Sequence, residues 1–151
     1  MENIIALGIG NQLMMDDGIG IYLVQELEKL DQSSGIRYII GESDIDYCIE
    51  QIESAAFVII IDAVCSGKQA GELSLYRLAD LHEHHSLDIS IHNLHLFQML
   101  YQQRETIKGY LIGVEPHEIS FHMGLSQTLE EQWKSILEEA EKMITDLIGK
   151  K

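Results

Sequence analysis

The sequence predicts an α/β fold, a three-layer sandwich in which a mostly parallel, twisted sheet of about five strands is flanked by helices. Three observations predict it. Short apolar runs alternate along the chain with segments of helical period. The run Phe57 to Ile61 is apolar throughout, which suits a strand buried on both faces at the centre of a parallel sheet. The 151 residues, read as one domain spanning 1–151, suffice to bury a core without disulfides or a structural metal.

Each element has its reason. Ile4 to Leu7 is too short for a buried helix and rich in isoleucine, so it reads as a strand, after which the chain turns on Gly8 and Gly10. Asp16 and Asp17 precede Gly18, Gly20 and a helical pattern through Leu23, Val24 and Leu27 that ends near Leu30. Asp31 to Gly35 is a polar connection. Arg37 to Ile40 is a second strand closed by Gly41, and Glu42, Asp44 and Asp46 crowd the following loop. Ile45, Ile49 and Ile52 fit a short helix, and the third strand then delivers Asp62 at its end. Ser66 to Gly71 is a loop, and Glu72 to Tyr76 alternates in character like an antiparallel edge strand. Leu78 to Ser90, with His82, His84 and His85 among acids, reads as a short helix or an exposed loop. A helix from His92 to Tyr101 and a last strand, Lys108 to Val114, lead to Glu115-Pro116. After a loop from His117 to Gly124, one long helix begins near Ser126 and ends at Gly149.

Charge and cysteine count narrow the function. With 25 acidic against 10 basic residues the formal charge is −15, which argues against nucleic acid and anionic membrane surfaces as partners. Cys48 and Cys65 are too few and too far apart for a disulfide framework or a zinc ribbon, so free thiols in a reducing cytoplasm are expected. No signal-peptide pattern and no membrane-span-length apolar run is present, so a cytoplasmic protein is expected.

Right-handed crossovers would gather Asp16 and Asp17, Asp62 and His92 along the carboxyl edge of the sheet, where open α/β folds bind ligands. Two carboxylates and an imidazole suit a divalent transition metal and leave a position open for water or substrate. Plainer roles compete. Adjacent acids at a helix start gain from its exposed N–H groups, so one of the pair is expected to cap. Asp62 fits a loop cap equally well, and His92 a helix start satisfied by backbone. His82, His84 and His85 read as surface histidines, and His95 lies one helical turn from His92 with no preferred direction. Met14 and Met15 read as loop anchors or core filler.

Gly8-Ile-Gly-Asn11 with Asp16-Asp-Gly-Ile-Gly20 resembles the N-terminal signature of the endopeptidases that mature the large subunit of [NiFe] hydrogenases. The resemblance continues through Ile61-Asp-Ala-Val64, Ser66-Gly67, Gly71, Ser90-Ile-His92, Gly113-Val-Glu-Pro116 and Gly124-Leu-Ser126. It implies a phosphorylase/hydrolase-like sandwich and a metal site that maps onto Asp17, Asp62 and His92; on chemical grounds Asp17 or Asp62, where not fully engaged by metal, is a candidate general base. It further implies a partner, the hydrogenase large-subunit precursor, which presents nickel already installed and loses a short C-terminal extension. Nickel is then chiefly a recognition element carried by the substrate, although other divalent metals suit the same ligands. One departure stands out: where the family has a glycine-rich segment with a threonine, this chain reads Gly41-Glu-Ser-Asp44.

Three rival readings differ in class. A dinucleotide site would use Gly8-x-Gly10, but the third glycine of that fingerprint is replaced by Leu13 and two acids would face the pyrophosphate. A cysteine hydrolase would use Cys65, which has no nucleophile motif around it. A non-catalytic nickel or precursor-binding module would keep the three ligands and omit hydrolysis.

Overall fold

The computed structural model describes residues 3–31, 34–83 and 91–150, with the side chains of 82, 83, 91–94 and 150 outside that description. A five-stranded sheet forms its centre, ordered β2-β1-β3-β5-β4. The strands are β1 (Ile4–Ile9), β2 (Arg37–Glu42), β3 (Phe57–Ala63), β4 (Leu73–Arg77) and β5 (Gly109–Val114). The first three and β5 run parallel, and β4 pairs antiparallel with β5 at the edge, as its alternating sequence predicts.

The helices are α1 (Ile19–Leu30), α2 (Ile45–Glu53), α3 (Ile91–Gln102), α4 (Gln127–Glu131) and α5 (Trp133–Lys150), with 3-10 segments at Met15–Gly18 and Leu78–Glu83. They divide between two cores because strand residues alternate faces. Phe57, Ile59 and Ile61 of β3 pack with Leu23 and Leu27 of α1 and Ile136 and Ile144 of α5. Val58 and Ile60 point the other way, into a core shared with Cys48 and Ile52 of α2 and Leu96 and Leu100 of α3. This two-sided burial is why β3 needs an unbroken apolar run.

Connectivity sets where a ligand fits. From β1 the chain crosses to β2 on one flank and then to β3 on the other, so the strand order reverses between β1 and β3. In open α/β sheets the crevice at such a reversal, beyond the carboxyl ends of the two strands, is the usual binding place.

Three local expectations are corrected. Gly8 lies inside β1, which continues to Ile9, and a side chain at Gly8 would meet the Gly20 carbonyl oxygen at 2.7 Å, so the glycine admits α1 against the strand rather than turning the chain. The helix expected from Ser126 is interrupted at Gln132, whose backbone N–H bonds back to Leu129 at 3.2 Å. Gly149 does not end α5, which continues through Lys150.

Candidate active site

After β1 the chain folds tightly back on itself. Gly10 has φ 143°, and a Cβ there would sit 2.0 Å from the carbonyl oxygen of Asp17, so glycine is required for the close approach. Within this turn the Asn11 N–H donates to Asp17 Oδ2 at 3.0 Å, and the Asn11 side-chain oxygen accepts from Leu13 N–H at 2.9 Å. Asp17 is half-buried in the 3-10 turn that leads into α1.

Asp62 is the sixth residue of β3, paired opposite Gly113 of β5 and only 2% exposed. Its Oδ1 accepts from the Ala63 N–H at 2.8 Å. The start of α1 presses directly on the ends of the two central strands: a Cβ on Gly20 would lie 2.1 Å from the Ile61 carbonyl oxygen and 2.8 Å from that of Ile9. Asp17, three residues before Gly20, and Asp62, the residue after Ile61, are thereby brought to the same edge, at the strand-order reversal. The parity of β3 places Asp62 with Val58 and Ile60, on the face covered by α2 and α3. There its charge is felt by the buried Cys48 thiol, which burial first, and then Asp44 and Asp62, push up to about 12.

His92 stands in the first turn of α3, the helix that covers the face Asp62 joins; its side chain lies outside the described residues. Beyond the far end of α3, Gln103 Nε2 donates to Glu53 Oε2 of α2 at 3.2 Å, just ahead of β3's amino end. Among the described residues no three metal-ligating side chains converge, so Asp17 and Asp62 are the two described members of the expected set. Their oxygen donors, joined by one imidazole, are a chemically suitable set for a divalent transition metal.

Other expected residues fall as follows. Met15 is a loop anchor, taking up φ 51° while its Sδ accepts from Ser120 Oγ at 3.0 Å; Met14 forms a single parallel bridge with His122. His95 is exposed on α3, His82 belongs to the second 3-10 segment, and His84 and His85 lie outside the described residues. Cys65 is half-buried in the loop after β3. The Gly41–Asp44 segment lies against the β1 turn, since Gly10 N–H donates to the Glu42 carbonyl at 3.0 Å and Ser43 Oγ to that of Gly10 at 3.4 Å. Glu42 holds φ 52°, and Asp44 caps α2 by accepting from Tyr47 N–H at 3.1 Å.

Neither carboxylate of the Asp16–Asp17 pair caps α1, whose N-cap is Gly18. Asp16 is fully buried and binds the opposite end of the chain instead. Its Oδ2 accepts from the N–H groups of His117 and Glu118, both at 2.9 Å, and from Ser126 Oγ at 2.7 Å; its Oδ1 accepts from Ser126 N–H at 2.7 Å. Ser126 Oγ in turn accepts from Leu129 N–H at 3.3 Å and caps α4. A buried carboxylate saturated by four donors is not available to a metal, which leaves Asp17 as the candidate ligand of the pair. Sequence reading missed this network, because its partners lie 101 to 110 residues away.

Comparison with known proteins places the chain by family and fold. A family model described as hydrogenase maturation protease matches residues 21–143. Among curated relatives, the hydrogenase 2 maturation protease of Escherichia coli K12 is 30% identical over 150 residues, covering 90% of this chain and 87% of that protein. The hydrogenase expression/formation protein HoxM of Azotobacter vinelandii is 29% identical over 159 residues, covering 99% of this chain and 73% of its own length. Of solved structures, the hydrogenase maturating endopeptidase HybD from E. coli superposes with a TM-score of 0.79 at 27% identity, over 95% of this chain and 93% of that one. The maturation protease HycI from Thermococcus kodakarensis shares the fold, with a TM-score of 0.69 at 22% identity over 98% of this chain and 93% of that one.

Proposed function

The chain belongs to the hydrogenase maturation protease family and is an endopeptidase, and from that premise we propose that it removes the C-terminal extension of a nickel-loaded [NiFe]-hydrogenase large-subunit precursor. The observation that carries this reading is that Asp17, just past the carboxyl end of β1, and Asp62, in the last residues of β3, share the sheet edge where the strand order reverses.

The substrate brings its own nickel. Asp17 and Asp62, with His92 from α3, would hold that ion and so fix the scissile peptide relative to the enzyme, a contribution of proximity rather than of a resident metal. Hydrolysis breaks the peptide C–N bond, adds a water oxygen to the carbonyl carbon and delivers a proton to the leaving amine. In this reading a carboxylate at this edge, Asp17 or Asp62, takes the proton from the attacking water. Among the described residues no helix is long and apolar enough to cross a membrane.

The test is cleavage of nickel-loaded and nickel-free precursors by the wild type beside Asp17→Asn, Asp62→Asn and His92→Ala. Nickel-dependent trimming by the wild type, reduced about 100-fold or more in each variant, supports both reaction and site. Retained trimming in any one variant removes that residue from the site. A wild type that binds the loaded precursor without trimming it overturns the proposed reaction.

A further inference from the structure

The loop between β5 and α4 carries apolar side chains outward. Phe121 is 82% exposed and Met123 64%, and Ile119 and Leu13 are exposed beside them. Leu13 belongs to the turn after β1, and the two segments are joined: His122 N–H donates to the Leu13 carbonyl and Met15 N–H to that of His122, each at 2.9 Å.

Nothing about this placement is slack. Asp16 N–H donates to the Glu118 carbonyl at 3.2 Å, the Asp16 carboxylate holds the amides of His117 and Glu118, and Ser120 Oγ donates to Met15 Sδ. These bonds fix the chain on both sides of Phe121. At Gly124 the rim adjoins a shallow depression of about 390 Å³, lined also by Tyr22, Leu125 and Trp133.

Size decides what such a surface can hold. The exposed parts of the four side chains come to roughly 400–500 Å², the scale of a functional patch on a monomer. A stable dimer needs about 800 Å² from each partner, so a second copy of this chain is a poor occupant. Position decides the rest: Leu13 and Met15 share the turn that ends in Asp17, and the 118–122 loop is bonded to that turn, so the rim stands next in the chain to the carboxylate of the proposed site.

Resting on the proposed function, we propose that Leu13, Ile119, Phe121 and Met123 form the docking rim for an apolar face of the hydrogenase large-subunit precursor beside its C-terminal extension. A contact of this size aids recognition and still lets the trimmed product leave.

The experiment is steady-state cleavage of nickel-loaded precursor by the wild type, by the double variant Phe121→Ser/Met123→Ser and by Phe121→Leu, with thermal melting and sedimentation of each. The expected result is a KM raised about tenfold or more in the double variant, with kcat and melting temperature unchanged and KM largely restored in Phe121→Leu. An unchanged KM overturns the rim while leaving the proposed function standing. So does a melting temperature lowered in step with activity, which assigns the side chains a structural role, or a wild-type dimer that dissociates in the double variant without a change in KM, which assigns the rim to a second copy. Absence of cleavage by the wild type itself overturns both proposals.

Discussion

Replacing Asp16 by Asn tests the internal support of the site, because it keeps size and shape and removes only charge and one acceptor. Asp16 receives four hydrogen bonds, three on Oδ2 and one on Oδ1. An asparagine oxygen in the Oδ2 position retains the three, but its amide nitrogen then faces the Ser126 N–H, donor against donor. One buried N–H left without a partner costs about 1–3 kcal/mol, and the loss of charge weakens the remaining bonds by a further fraction each. The sum is roughly 3–5 kcal/mol, a large part of the stability of an ordinary domain. For a chain of this length it corresponds to a fall in melting temperature of about 10 °C. Urea and thermal denaturation followed by circular dichroism measure it, and amide hydrogen exchange localises it: the N–H groups of His117, Glu118 and Ser126 should exchange faster while those of β3 change least. A loss below about 1 kcal/mol, or exchange quickened evenly over the sheet, would refute the assignment of Asp16 as the tie between the two ends of the chain.

Two other perturbations follow from the same geometry. Gly20→Ala places a methyl group 2.1 Å from the Ile61 carbonyl oxygen and must lift α1 from the strand ends, so the urea midpoint should fall by the equivalent of about 1–3 kcal/mol or more. Gly149→Ala, in open space on a helix, should be neutral or stabilising by up to about 1 kcal/mol, and a loss there would show that α5 does not continue as described. Cys48 is raised from an ordinary thiol value of 9.0 to about 12, so between those pH values the unfolded chain gives up its thiol proton before the folded one. Stability should therefore be intact below pH 9 and fall as pH rises, by at most about 1.4 kcal/mol per pH unit from this group. Urea denaturation across pH 8 to 11 should show a shallower decline in Cys48→Ala, and identical slopes would remove Cys48 as a cause. A thiol reagent at pH 8 should label Cys65 in the folded protein and Cys48 only on unfolding.

The sheet was legible in the sequence where burial imposes composition. β3 must be apolar on both faces, and β4, at an edge with one face open, must alternate; both patterns survive in a short window of residues. Glycine was less legible, because the same residue serves a turn at Gly10 and a helix-to-strand contact at Gly8, and only the packed partner tells them apart. The break at Gln132 was hidden for a related reason. Leu129, Ile136, Ala140 and Ile144 keep one buried face across it, so the hydrophobic period runs on although the backbone does not. For the site, Asp62 could be read from its place after the apolar run, whereas the sorting of Asp16 from Asp17 needs contacts a hundred residues distant.

That sorting follows from the 3-10 turn itself. With about three residues per turn, neighbouring side chains diverge by roughly 120°, so two adjacent aspartates on Met15–Gly18 cannot share an environment. One goes inward to the 117–126 segment and is saturated there; the other stays half-buried at the edge, where the Asn11 N–H donates to its Oδ2. The two roles depend on each other. Asp17 hangs on a turn whose backbone bends through φ 51° at Met15, a conformation that costs an L-residue on the order of 1–2 kcal/mol and so must be held by its surroundings. The bonds of Asp16 to His117, Glu118 and Ser126 supply that hold, and because the same bonds position the apolar rim, the carboxylate at the crevice and the surface beside it are kept in one fixed relation.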